Sequence, residues 1–150
     1  MKVVLQRVRK ASVTVEGSVT GEIKKGFLLF IGVSHTDTED IARKMADKIS
    51  KLRIFEDGDG KTNLSLSDVS GDILAVSQFT LYADCKKGNR PSFTKAGGPE
   101  HANHLYEYMV EHLRTNGHRV EKGIFGADMK VELLNDGPFT LVLDSDEICS

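Results

Sequence analysis

The sequence predicts a single α+β domain over residues 1–150, with mostly antiparallel strands in a barrel- or sandwich-like arrangement and two main helices. Three observations predict it. Short Val- and Ile-rich runs punctuated by Gly fill the first third and return in the last. Two segments carry apolar residues three and four apart, the period of a helix with one buried face. No repeat, linker or composition break divides the chain, whose length suits one core.

Strands are expected at Val3 to Val8, Ser12 to Glu16, Val19 to Ile23 and Phe27 to Val33. Thr36-Asp37-Thr38-Glu39 fits a capping box, with Thr36 as N-cap and Glu39 at N3. Ile41, Met45, Ile49 and Leu52 then form the buried stripe of the first helix. Arg53 to Glu56 reads as a strand ending in the turn Asp57-Gly58-Asp59-Gly60. The apolar run Ile73-Leu74-Ala75-Val76 continues into Ser77-Gln78-Phe79-Thr80-Leu81-Tyr82 as one further strand. One alternating set, from Ile73 to Leu81, stays mostly apolar; the other turns polar after Val76. Either the strand leaves the core there, or its end is a site.

Ala83 to Gly98 is a loop rich in Lys, Gly and Pro. The second helix runs from Pro99 to Thr115: Pro99 suits N1, Leu105, Met109 and Leu113 form the stripe, and Gly117 suits the end. Strands at His118 to Lys122, Met129 to Leu134 and Phe139 to Leu143 close the chain, the last two joined by the turn Asn135-Asp136-Gly137-Pro138.

A hydrophobic content of 39% with 28% charged residues describes a globular chain and not a disordered one. The longest apolar run, Phe27 to Ile31, falls far short of the ~20 residues that span a bilayer, and the N-terminus lacks an apolar signal region. Cys85 and Cys149 provide neither a disulfide framework nor a zinc spacing. The expectation is a cytoplasmic protein without a membrane partner. A net charge of −2 argues against avid, sequence-blind nucleic-acid binding, and no DNA partner is expected. Charge is uneven locally. Lys2, Arg7, Arg9 and Lys10 form one basic run, and Lys86, Lys87, Arg90 and Lys95 stand against Asp84 alone; a solvated face is the plainer reading of both.

Several motifs fail. Gly60-Lys61-Thr62 is no phosphate loop, because Phe55 stands where the first Gly is required. Asp57-Gly58-Asp59-Gly60 fails as a calcium loop at Lys61. His101 and His104 have no evident metal partner, Ser77 sits in no nucleophile elbow, and Cys85 has no placed His. There remain Ser77-Gln78-Phe79-Thr80, Gly137-Pro138 and the basic loop. Each alone also reads as ordinary structure: a strand end, a turn, a solvated loop.

Taken together, motifs along nearly the whole chain resemble those of the D-aminoacyl-tRNA deacylases. They are Gln6-Arg7-Val8, Ala11-Ser12-Val13, Lys51 to Asp57, Asn63 to Leu66, Ser77 to Leu81, Lys87 to Phe93, Phe125-Gly126-Ala127 and Asn135 to Thr140. The family commonly has Val where Phe139 stands here, and Asp128 takes a position expected to be apolar.

The resemblance implies a homodimeric enzyme that hydrolyses the ester between a D-amino acid and the 3′-terminal adenosine of tRNA. The resemblance also implies glycyl-tRNA as a family substrate, and it implies no metal or organic cofactor. It implies that Ser77, Gln78, Phe79 and Thr80 form the catalytic floor, with the Phe79 and Thr80 N–H groups facing the ester carbonyl and Gln78 orienting the substrate. No base stands near Thr80 in sequence, which favours water activated by the ribose 2′-hydroxyl over a Thr80 nucleophile. Gly137-Pro138 would be a cis pair reaching into the partner's pocket to reject L-amino acids. Arg7 would hold that loop, or be a surface charge. Lys86, Lys87 and Arg90 would meet acceptor-stem phosphates, and Phe125 would lie near the terminal adenine, or in the core. Rival readings are a non-catalytic RNA-binding module, a hydrolase of other activated acyl esters, and a relative tuned to L-alanine on a wrong tRNA.

Overall fold

The first strand organises the molecule. In the computed structural model, which describes all of residues 1–150, β1 (Lys2–Val15) is one strand of 14 residues where the sequence suggests two. No Gly interrupts it between Val8 and Ser12, so nothing forces a turn. It pairs antiparallel with β3 (Gly26–Gly32) through its first half and with β2 (Ser18–Ile23) through its second. On its other side it pairs with β8 (Lys130–Asp144) along nearly its whole length. A small hairpin of β4 (Arg53–Glu56) and β5 (Thr62–Ser65) stands apart; β5 is too short and polar to have been read from sequence.

Most pairings are antiparallel, as expected, but the centre of the sheet is parallel, which makes the sheet mixed. β6 (Asp72–Ser77) runs parallel to β3, and β7 (Val120–Lys122) runs parallel to β6. Parallel neighbours require long crossovers. Here α1 (Glu39–Lys51) lies within the first crossover and α2 (Pro99–Thr115) within the second. Both central strands are covered on both faces, as parallel strands are: Phe27 to Leu29 and Ile73 to Val76 are all buried.

The sheet curls until β2 stands over β7. A Cβ on Gly21 would lie 2.8 Å from the Lys122 carbonyl oxygen, so this near-closure depends on the missing side chain. Inside the curl, Val8, Val13, Ile23, Leu28, Leu74 and Val76 form a small core. On the outer face, Leu5, Phe27, Leu29, Ile31, Ile73 and Ala75 form a larger one with the two helices. The result is a nearly barrel-shaped mixed sheet with its helices on one face.

α2 spans the expected residues, with Pro99 in its first turn and Leu105, Met109 and Leu113 buried. α1 starts two residues later than the capping box suggests. Its N-cap is Thr38, whose hydroxyl accepts from the Ile41 N–H at 3.3 Å. The delay has a cause. The Asp37 carboxylate accepts the Ser34 N–H at 2.7 Å and the Met1 ammonium at 2.6 Å, which folds residues 34–37 into a separate turn. The buried face of α1 is Ala42, Met45, Ala46 and Ile49, with Ile41 and Leu52 at its margin. The Met1 ammonium also donates to Ser145 Oγ at 2.7 Å, seating the short α3 (Ser145–Ile148), which sequence reading missed. No helix is long and apolar enough to cross a membrane.

Candidate active site

The polar stretch after Val76 is where a strand ends. Residues 73–82 do not form one strand: β6 stops at Ser77, and a 3-10 turn, Phe79–Tyr82, follows. The partner strand dictates this. Ser77 pairs with Ile31, Gln78 N–H donates to the Ile31 carbonyl at 2.8 Å, and β3 ends at Gly32. Without a neighbour to pair with, the chain coils: Leu81 N–H bonds the Gln78 carbonyl at 3.3 Å, and Ala83 N–H bonds Thr80's at 3.0 Å. In a turn that opens on the Gln78 carbonyl, the Phe79 and Thr80 N–H groups have no acceptor within the turn itself. Gln78 Nε2 donates to Thr80 Oγ1 at 2.5 Å, so the amide, and no His or carboxylate, is the hydroxyl's partner.

Ser77, Gln78 and Phe79 line a pocket of about 590 Å³. Phe93, Ala96 and Gly97 of the long loop form one wall, and Phe125 and Met129 form another. Most of the lining is apolar, and the size suits a small organic ligand. Tyr106 buttresses it from beneath. Its buried hydroxyl donates to the Ala75 carbonyl of β6 at 2.8 Å, and its ring packs 6.3 Å from Phe125. Burial pushes the Tyr106 phenol's pKa far above its ordinary value, so it remains a donor. Asp128 stands at the rim, exposed and paired with Lys130 at 3.1 Å.

The basic loop is held at its neck. Asp84 N–H donates to the Ser92 carbonyl at 2.7 Å, and Ser92 N–H returns to Asp84 at 3.0 Å. Further on, Gly97 N–H bonds the Val33 carbonyl at 2.8 Å. Between the neck residues, Lys86, Lys87 and Arg90 are exposed.

Arg7, Gly137 and Pro138 do not line this pocket. They form a second centre, where β8 runs through the sequence that reads as a turn between two strands. The Gly137-Pro138 peptide is cis, and pairing with β1 shifts register beside it. Asn135 replaces the missing strand partners. Its Nδ2 donates to the Phe139 carbonyl at 3.0 Å and the Arg7 carbonyl at 3.2 Å, while its Oδ1 accepts the Phe139 N–H at 3.0 Å. Arg7 is buried despite its charge. Nε donates to the Asp136 carbonyl at 2.8 Å, Nη1 to the Ile54 carbonyl at 2.6 Å, and the guanidinium lies 4.7 Å from the centre of the Phe139 ring. Gly137 has φ +148, and a Cβ there would lie 2.8 Å from the Phe139 main-chain nitrogen, so a side chain is strained at this position. Gly137 and Pro138 themselves are exposed.

Sequence reading therefore named residues of two separate centres. It missed Asn135 and Tyr106 as supports and Phe93 and Met129 as walls. Phe93 carried a signal, being an aromatic residue in an otherwise polar, basic loop.

A small α+β domain with a mostly apolar pocket at the end of a parallel strand is a ligand-binding or catalytic domain with little ionisable machinery. Within that class the chain belongs to the D-Tyr-tRNA(Tyr) deacylase family, whose model matches residues 4–144. It is 57% identical over 145 residues to the D-aminoacyl-tRNA deacylase of Anoxybacillus flavithermus, a match covering 97% of this chain and 99% of that one. It is 55% identical over 147 residues to the D-aminoacyl-tRNA deacylase of Thermus aquaticus, covering 98% and 97%. Among solved structures, a protein described as a c-Myc DNA unwinding element binding protein superposes with a TM-score of 0.89 at 42% identity, covering 96% of this chain and 98% of that one. A probable eukaryotic D-amino acid tRNA deacylase shares the fold, with a TM-score of 0.81 at 20% identity and coverage of 95% and 97%.

Proposed function

We propose that the protein hydrolyses the ester between a D-amino acid and the 3′-terminal adenosine of tRNA, releasing free amino acid and reusable tRNA. The observation that supports this reading is an apolar pocket lined by Ser77, Gln78 and Phe79 in a member of this family, with Thr80 next in the 3-10 turn just outside the lining. An aminoacyl ester is already activated, so catalysis requires positioning and stabilisation of the tetrahedral oxyanion. The Phe79 and Thr80 N–H groups donate to that oxygen, and Gln78 orients the substrate beside it. Water attacks the carbonyl carbon, aligned by the substrate's own 2′-hydroxyl. The bond to the 3′-oxygen breaks, and that oxygen takes the proton water gives up. Thr80 serves through its main chain. Phe125 packs near the terminal adenine, and Lys86, Lys87 and Arg90 meet phosphates of the acceptor stem, which position without reading sequence.

Chirality is read by exclusion. Gly137-Pro138 lies away from its own pocket, which is compatible with the family-derived reading that it acts on the pocket of a second copy in a homodimer. The edge strand β8, with Leu134 and Val142 exposed, supports that association. The rigid main chain of the Gly-Pro pair meets an L side chain and leaves room for a D one; glycine, with no side chain, passes. A tRNA substrate places the enzyme in the cytoplasm.

The test is a deacylation time course at nanomolar protein with matched D-Tyr-tRNA and L-Tyr-tRNA. Rapid loss of the D-ester, with the L-ester decaying at its spontaneous rate, is the expected result. Loss of neither ester would replace the reading with an RNA-binding module, and loss of both would remove the Gly-Pro filter.

A further inference from the structure

Of the seven Phe and three Tyr residues, only Phe79 and Phe93 are exposed, and they are neighbours. The two residues are 53% and 36% exposed, and their rings meet edge to face with centroids 5.0 Å apart. Apolar rings left open to water side by side mark an interaction surface. Both line the pocket's rim. Beyond Phe93, across the pinched neck at Asp84 and Ser92, lie Lys86, Lys87 and Arg90, exposed cations with no acidic partner. An aromatic step thus stands between an apolar pocket and free positive charge. That is the arrangement by which proteins hold single-stranded nucleic acid: rings stack the bases, and cations follow the backbone.

The inference rests on the proposed substrate. A pocket of about 590 Å³ takes one nucleoside with its ester, and the next nucleotide of the unpaired tRNA end must lie outside it. We propose that the Phe79–Phe93 pair is the stacking platform for the penultimate nucleobase of the tRNA 3′ strand. That base lies on the Phe93 ring, with its phosphates directed toward the cations of the loop. Stacking tolerates any base, since each has a π face, and it draws the terminal adenosine into register over the Phe79 and Thr80 N–H groups.

The test uses two trinucleotides, each ending in adenosine with its D-tyrosyl group in amide linkage so that it resists hydrolysis. One has cytidine at the penultimate position, the other an abasic ribose; phosphate count and charge are identical. Calorimetry on the whole protein should show the cytidine ligand binding about 10-fold more tightly, within the range of one base stacked on one ring. In Phe93→Ala the ratio should fall to about 1, and in Phe93→Tyr it should persist. Taking the ratio within each protein cancels any general loosening of the pocket. Phe93→Leu keeps the apolar bulk without the π face, repeats the test should Ala disturb the loop, and should also bring the ratio near 1. Equal binding of the two ligands by the wild type, or an undiminished ratio in Phe93→Ala or Phe93→Leu, would overturn the platform while leaving the deacylase reading in place. If neither ligand binds the wild type, both the platform and the deacylase reading fall.

Discussion

Arg7 and Asp136 are bonded across the whole length of the chain: the Arg7 Nε donates to the Asp136 carbonyl at 2.8 Å, from a side chain left only 6% exposed. A buried guanidinium requires its fork to be filled, and Nη1 is filled by Ile54. The pair joins β1 to the Gly137-Pro138 bend. The exposed Gly-Pro main chain therefore stands on a braced support.

Arg7→Lys separates bracing from burial. An ammonium keeps the charge but cannot place two bonds in the guanidinium geometry. The D-ester rate should hold within a few-fold, while protection of the L-ester falls by about 10-fold. Arg7→Ala should also lower the folding free energy by roughly 2–4 kcal/mol, because two buried carbonyls lose a charged donor. Parallel time courses on both esters, with a denaturant titration, check both claims. An unchanged L-to-D ratio in Arg7→Lys would dissociate Arg7 from selectivity.

Thr80 bonds the Gln78 amide and has no base beside it. Thr80→Val keeps the shape and the main-chain N–H and removes the hydroxyl. Turnover should stay within about 10-fold of wild type, the loss of one modest hydrogen bond. A drop of three orders of magnitude with ligand affinity intact would make the hydroxyl a nucleophile and end the main-chain mechanism.

Three exposed cations in one loop imply a salt-dependent Michaelis constant. Each phosphate contact contributes about 0.7–0.9 to the slope of log affinity against log salt. Replacing Lys86, Lys87 and Arg90 together with Ala should flatten that slope by about 2 and leave the D-to-L ratio unchanged. Equal slopes for wild type and variant would move the tRNA footprint elsewhere.

Local signals were legible in the sequence, and pairings were not. Pro99, a stripe of Leu and Met, and Gly117 bound α2 because each acts within its own few residues. The continuous apolar runs of β3 and β6 were a trace of strands buried on both faces, but such a run does not name its partner or its register. The alternation from Ile73 to Tyr82 overran because a strand's end is set by its partner's end, here Gly32. At the site, Ser77 to Thr80 and Gly137-Pro138 were named through family likeness. Their separation into two centres, and the clamp of Asn135 on Phe139, depend on contacts that single-chain spacing cannot encode.

Buried His118 makes the fold sensitive to mild acid. It is 7% exposed, its Nε2 is buried without a hydrogen-bond partner, and burial lowers its pKa below the ordinary 6.5. The folded protein therefore resists taking up a proton that the unfolded chain accepts. Above pH ~6.5 both states hold a neutral ring and stability is full; as pH falls below that value the unfolded state binds more protons and stability declines, until the folded ring also protonates. A second decline belongs to Asp47. Bonds from the Asn116 amide and then from His112 hold its carboxyl below the usual range, so its contribution is present above pH ~4 and lost as pH falls further. His118→Phe keeps a flat ring and removes the unpaired nitrogen. Denaturant midpoints measured from pH 7.5 to 3 should show the wild type weakening in both windows. The variant should be at least as stable at pH 7.5 and hold its midpoint down to about pH 5, weakening only in the lower window. A variant that weakens between pH 6.5 and 5 as steeply as the wild type would transfer the acid sensitivity to another group.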